Sequence, residues 1–289
     1  MGIAKSTGTV KSFDGTEIYY ETHGTGEPIV FIYGLACLMN HWHFQVDYFS
    51  QKYQVITFDI RGHHKSVSKD FKNINLESVA KDIEALLVEL KVKKAHFVGH
   101  SFGAQIILKT YDLFPQFFKS ISFINGFASN PIKGMFGFDV IEPFFYFVKA
   151  QFEKAPITWN MLWKNAINNP VSMYLSAMAG GFNWKLTQFK DIEVYAKGVS
   201  LIPLEVFIPY FEDLMTFEGA EVARKISVPT MVISGEKDSV TPKKFQSELS
   251  DLIKNSLFFE APYGSHCTQL DFPDYINLKL ESFIEKTHT

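Results

Sequence analysis

Three side chains in this chain have the types and spacing for nucleophilic chemistry at a carbonyl: Ser101, Asp238 and His266. Ser101 lies in Gly99-His100-Ser101-Phe102-Gly103, between a short apolar run at 95–98 and a helix-patterned stretch at 102–114. A serine lifted above the end of a strand needs a very sharp strand-to-helix turn, with strain in its own backbone. Glycines on either side have no Cβ, so strand and helix can approach closely. The start of the helix also directs N–H groups towards negative charge forming beside the hydroxyl. Serine is a poor nucleophile until a neighbouring base takes its proton, and that base needs an orienting acid. Both partners follow late strand-like runs. Residues 230–234 lead into Gly235-Glu236-Lys237-Asp238, and residues 257–259 are followed by Gly264-Ser265-His266. Three side chains at three strand ends, in the order Ser, acid, His, point to acyl transfer through a serine ester.

The competing residues are weaker. Asn125, after the run 121–124, leaves the other plausible acid position without a carboxylate. Glu236 is closer to its strand end and is read as structural or solvated, and Asp271 as the start of the last helix near Pro273. His23, His96 and His288 are expected at the surface, and His100 is expected to pack and hydrogen-bond. His41-x-His43 has no acidic third ligand nearby, so no metal site or cofactor is expected. The oxyanion of a tetrahedral intermediate would need donors. The backbone N–H of Phe102, directly after the nucleophile, is one candidate, and that of Leu35, just beyond Gly34, is the other.

These loops need a sheet to hold them. Residues 9–13 and 17–22 flank Asp14-Gly15 and read as a hairpin. Apolar runs at 29–33, 55–58, 95–98 and 121–124 alternate with helical patterns at 41–50, 76–90 and 102–114, which predicts a mostly parallel sheet of about eight strands covered by helices. The alternation stops after Asn125. Residues 127–218 lack a clear strand run and are dense in aromatics and Met, including Phe136, Phe138, Phe144, Phe145, Phe147, Phe152, Trp159, Trp163, Met173, Met178, Phe182 and Trp184. The alternation resumes at 230–234 (strand), 242–252 (helix) and 257–259 (strand), and a helix at about 273–286 follows. The expected layout is an α/β core of 1–126 and 219–289, with an inserted helical cap at 127–218. Most of the cap aromatics should pack its core, and a minority should line an apolar acyl pocket.

Composition narrows the options. With 289 residues, 46% hydrophobic, and a net charge of −3, the chain has neither a basic face for nucleic acid nor a polybasic patch for membranes. No P-loop, dinucleotide loop, zinc spacing, repeat or run long enough for stable membrane insertion is present. Two cysteines, Cys37 and Cys267, are too few for a disulfide scaffold, and with no apolar signal region at the N-terminus the expected location is cytoplasmic. Met1-Gly2 and Ser6 fit an acylation pattern of low specificity.

The chain resembles the α/β-hydrolase fold superfamily, in its group of capped serine esterases and haloperoxidase-like enzymes. The similarity covers nearly the whole core. Besides the Ser101, Asp238 and His266 loops, residues 59–66 resemble the Asp-x-Arg-Gly-x-Gly-x-Ser block, and Trp42 and Gln45 match the helix after the oxyanion loop. Two positions depart from the pattern: Tyr33 replaces the usual His before Gly34, and His64 replaces the second Gly of the block. Ser101 argues against the dehalogenase and epoxide-hydrolase branches, which place Asp at the elbow. The resemblance implies a serine hydrolase of small apolar esters with short- to medium-chain acyl groups. Thioesters, lactones, amides, C–C bond hydrolysis and perhydrolysis remain alternatives, as does a ligand-binding receptor on the same fold.

Overall fold

The computed structural model describes residues 4–68, 71–133, 135, 140–167, 169, 171–172, 181–183 and 185–287. Gly2, Phe136, Phe138, Met173, Met178, Trp184 and His288, all named above, lie outside the described residues. Eight strands form one sheet in the order β1-β2-β4-β3-β5-β6-β7-β8. Strands β1 (Lys5–Lys11) and β2 (Glu17–His23) make the expected hairpin, and β2 also pairs antiparallel with β4 (Gln54–Phe58). The remaining pairings are parallel, through β3 (Pro28–Ile32), β5 (Ala95–His100), β6 (Phe118–Ile124), β7 (Thr230–Gly235) and β8 (Leu257–Ala261). Parallel strands covered on both faces bury every side chain, which is why β5 and β7 read as continuous runs without alternation.

Eleven α-helices are described. The core carries α1 (His43–Phe49), α2 (Leu76–Glu89) and α3 (Phe102–Leu113) between successive strands, and α8 (Ala220–Lys225), α9 (Lys243–Leu252), α10 (Thr268–Asp271) and α11 (Pro273–Lys286) later in the chain. Between β6 and β7 the described residues form no strand. They contain α4 (Ile141–Lys154), α5 (Pro156–Ile167), α6 (Phe189–Ser200) and α7 (Leu204–Thr216), followed by α8. Among the described residues no single helix is long and apolar enough to cross a membrane, and α6 with α7, which pass that test only as a pair, bend by 102° at their junction.

Two expectations change. The strand before Ser101 continues past Val98, because Gly99 and His100 pair with Phe123 and Ile124 of β6. His96 is buried rather than at the surface: a polar residue inside a fully covered strand is tolerated when partnered, and its Nδ1 lies 2.7 Å from Ser120 Oγ on β6.

The chain reverses its direction of travel across the sheet at β3, whose neighbours are β4 and β5. Such a switch point leaves a crevice beyond the strand ends. The end of β4 is braced by Arg61, whose side chain is fully buried. Its Nε donates to Asp82 Oδ2 of α2 at 2.7 Å and its NH1 donates to Asp14 Oδ2 of the hairpin turn at 2.8 Å. Removing one member of such a pair strands a buried charge. Arg61→Met should therefore lower the unfolding free energy by about 3–5 kcal/mol, and Arg61→Met with Asp82→Leu should recover most of the loss. Urea unfolding checks this, and a double variant no better than the single one would show that the ion pair is not what matters there.

Candidate active site

Ser101 joins β5 to α3 with φ 54 and ψ −122, a conformation most L-residues avoid. Its neighbours leave no room for side chains. A Cβ on Gly99 would lie 2.6 Å from Ile107 Cδ1, and one on Gly103 would lie 2.5 Å from the Ile32 carbonyl oxygen. A Cβ on Gly34 would come 3.1 Å from the Ser101 Cβ. The loop after β3, which carries Leu35, is thus pressed against the serine turn, and Phe102 opens α3.

The structure brings the three predicted side chains together. His266 Nε2 lies 2.9 Å from Ser101 Oγ, and His266 Nδ1 lies 2.9 Å from Asp238 Oδ2. Asp238 also accepts hydrogen bonds from the Val240 and Thr241 N–H groups and from Thr241 Oγ1, at 2.8–2.9 Å. A carboxylate only accepts, so Nδ1 carries the imidazole proton and Nε2 presents its lone pair to the serine hydroxyl. All three side chains are nearly buried, with Ser101 9% exposed. Glu236 is elsewhere: it pairs with Lys237 and accepts from the Tyr263 N–H.

Several residues at the site were not legible as such. Asn125 sits at the end of β6, and its amide reaches the loops of both Asp238 and His266. Asp271, expected to start the last helix, instead lies at the end of α10. Its Oδ2 accepts from Ser265 N at 2.6 Å, and its Oδ1 accepts from the Thr187 hydroxyl and the Asn183 N–H. It ties the helical segment between β6 and β7 to the loop carrying His266. The two departures from the family pattern both contact the loops around the serine. The hydroxyl of Tyr33 accepts from Ile60 N at 2.8 Å, so β3 and β4 are joined at their ends. His64 adopts φ 43, and its Nε2 lies 3.1 Å from the Cys37 carbonyl oxygen, just past Leu35.

His41 and His43 diverge. His43 Nε2 faces Asp191 at 3.7 Å, whereas His41 joins His100 and Cys267, with potential ligand atoms within 4.8 Å of one another.

A cavity of about 450 Å³ opens over Ser101. Its walls include Leu35 from the loop after β3, Phe127 from the loop after β6, Trp163 from α5, Tyr195 from α6, and Phe207 and Phe211 from α7. Among the helical-segment aromatics, Phe144 and Phe147 face solvent and Phe145 packs against Phe211, while Trp163 and Phe182 line the cavity. No Asp, Glu, Lys or Arg is among the described lining residues. Burial also favours the neutral form of five groups around the site: it pushes His100 well below the usual imidazole range, His41 down to about 3, the Cys37 thiol up to about 12, and Cys267 and Tyr195 well above their ordinary values.

Beneath the serine loops, burial raises Asp59 to about 6, against hydrogen bonds from Lys65 N and Tyr33 that pull the other way. Between roughly pH 4, where the unfolded carboxyl titrates, and this value, the folded chain holds a proton that the unfolded chain has released. The contribution of Asp59 to stability therefore falls as pH rises through that window. Urea unfolding of wild type and Asp59→Asn at pH 4 and 7 should show the variant gaining relative to wild type by up to about 3 kcal/mol at the higher pH. An unchanged difference would mean that folding leaves Asp59 unshifted.

Comparison with known proteins agrees with this fold. A family model described as the alpha/beta hydrolase fold matches residues 27–273. The chain is 24% identical over 269 residues to a putative carbamate hydrolase of Azorhizobium caulinodans, covering 92% of this chain and 94% of that protein. It is also 24% identical to a non-heme haloperoxidase of Rhodococcus erythropolis, over 96% of this chain and 98% of that protein. Among solved structures, Est816, described as an N-acyl homoserine lactone degrading enzyme, superposes with a TM-score of 0.73 at 25% identity, over 96% of this chain and all of that one. A bromoperoxidase from Bacillus anthracis shares the fold with a TM-score of 0.77 at 20% identity, over 97% of this chain and all of that one.

Proposed function

The chain belongs to the alpha/beta hydrolase fold family, and from that premise we propose that it is a serine hydrolase of uncharged carboxylic esters with apolar acyl groups. The observation that carries this reading is the Ser101–His266–Asp238 relay, joined at 2.9 Å on each side and opening into a neutral, largely apolar cavity. In this reading Ser101 Oγ attacks the ester carbonyl while His266 Nε2 accepts its proton. His266 returns that proton to the departing alkoxide, leaving an acyl-serine, and then activates water for the reverse sequence. Asp238 holds the imidazole tautomer and stabilises the imidazolium. The N–H groups of Phe102 and Leu35 take the oxyanion; the close approach of Gly34 to Ser101 supports that pairing. Residues 127–218 act as a cap whose α5–α7 aromatics form the acyl wall. A lactone is an internal ester and would follow the same steps, so an N-acyl homoserine lactone belongs in any substrate panel, given the similarity to Est816.

Ser101→Ala and His266→Ala should each lower ester kcat by a factor on the order of 10⁴–10⁶, and the pair little more, because they act as a unit. Asp238→Asn should lose roughly 10⁴-fold, and Glu236→Gln should stay within a few-fold. Near-wild-type turnover by purified Ser101→Ala would overturn the mechanism, and reversed results for Asp238 and Glu236 would reassign the acid.

The substrate class has its own test. Each methylene buried against an apolar wall contributes about 0.8 kcal/mol, so kcat/KM should rise about fourfold per carbon from acetate towards hexanoate, then level as the chain meets the wall at Trp163 and Phe207. Charged acyl groups should be poor, because no charged side chain lines the described cavity. A flat or falling slope from acetate onward would remove the acyl pocket from the reading.

A further inference from the structure

At the end of β6, where an acid could have stood, Asn125 makes more contacts to the relay loops than its position in sequence suggests. We propose that Asn125 is a positioning residue for catalysis, clamping the loop of the acid and the loop of the base in one register; this rests on the serine-hydrolase reading above. Its Oδ1 accepts from Gly235 N at 2.7 Å, at the start of the loop that carries Asp238. Its Nδ2 donates to the carbonyl oxygens of His266 at 2.7 Å and Ser265 at 3.1 Å, and to Thr268 Oγ1 at 3.0 Å. Its own carbonyl oxygen lies 3.2 Å from Thr241 Oγ1, whose single proton goes to Asp238 at 2.8 Å. The amide's orientation follows from its partners: Gly235 N–H can only donate, and the two main-chain carbonyls can only accept.

The residue type follows too. The position needs an acceptor and a two-proton donor on one short side chain, carried by a backbone at φ 50, which Asn tolerates better than most residues. Asp would turn a second carboxylate oxygen on three acceptors, and Ser would reach one partner at most. The carbonyl of His266 is held a second time, by His100 Nε2 at 2.8 Å. The main chain of the base is thus fixed both to the residue before the nucleophile and to the strand between nucleophile and acid. A shift of the imidazole by about 1 Å relative to Ser101 would suffice to lower the rate on the order of 10²-fold.

The experiment compares wild type, Asn125→Leu and Asn125→Ser on a chromogenic butyrate ester, with active sites counted by the initial burst of a covalent organophosphate titrant. The clamp predicts that kcat per titrated site falls on the order of 10²-fold in Asn125→Leu, with KM within threefold, and that Asn125→Ser, which retains one donor, lies between. A residue that merely supports the fold would lower the number of titratable sites and leave kcat per site unchanged, and that result overturns the proposal. If Asn125→Leu does not fold, Asn125→Ser decides alone: a per-site kcat equal to wild type overturns the proposal, and a lower one with KM retained supports it. Ser101→Ala in the same assay separates the two levels. Full turnover by that variant removes the underlying mechanism, whereas an inactive Ser101→Ala beside a fully active Asn125→Leu removes the clamp alone.

Discussion

The turn at Ser101 is a conformation that the surrounding chain must enforce. A backbone at positive φ on a residue with a side chain is unfavourable by itself, and it persists when neighbouring contacts leave no alternative. Here the enforcement comes from close packing. β5 and α3 meet across Gly99 and Gly103, and the loop after β3 presses Gly34 against the serine. The other loops converge on that point because their strands, in parallel register with β5 and β6, end on the same side of the sheet.

Around this fixed point, hydrogen bonds between loops come from the two residues that depart from the family pattern. Tyr33, in place of an imidazole, spans from β3 to the Ile60 N–H beyond β4. His64, in place of a glycine, accepts the left-handed backbone that the turn still requires and places its ring against the Cys37 carbonyl. Both contacts join the loop after β3 to the segment after β4, so the loop that carries Leu35 is braced from that side. The neutrality of the cavity follows from the same close packing. His100 and Cys267, removed this far from water, favour their uncharged forms.

Most of the architecture was legible because buried parallel strands leave a strong trace: short apolar runs ended by glycine or polar loops. The three relay residues were legible because each follows such a run. What escaped the sequence depends on contacts between segments far apart in the chain. Asn125 offered only the absence of a carboxylate, and its partners Ser265 and His266 become neighbours only once β6, β7 and β8 are in register. Asp271 stood next to Pro273 and read as a helix start, while its ligands at Thr187 and Asn183 come from a segment whose position no periodicity specifies. His96 read as exposed because a lone polar residue near a strand usually is, and its Ser120 partner is visible only across the sheet. The cavity-lining Tyr195, Phe207 and Phe211 lie in helices whose inward face depends on how α6 and α7 bend against each other.

The contacts of Asp271 bear on how freely the region between β6 and β7 could be exchanged with that of a relative. A transplanted segment is often treated as a module joined to its scaffold only at two chain crossings. In this chain further bonds cross the seam, among them those of a buried carboxylate with one oxygen committed to Ser265 in the scaffold and the other to Thr187 and Asn183 in the segment. A chimera that brings in a foreign sequence there without an equivalent hydroxyl and N–H would leave half of that carboxylate without partners in a dry environment. The defect would lie five residues from His266, so a swap in that region would also disturb the loop that places His266 beside Ser101. Residue 271 and its two partners therefore have to be inherited together, or replaced together by an apolar set.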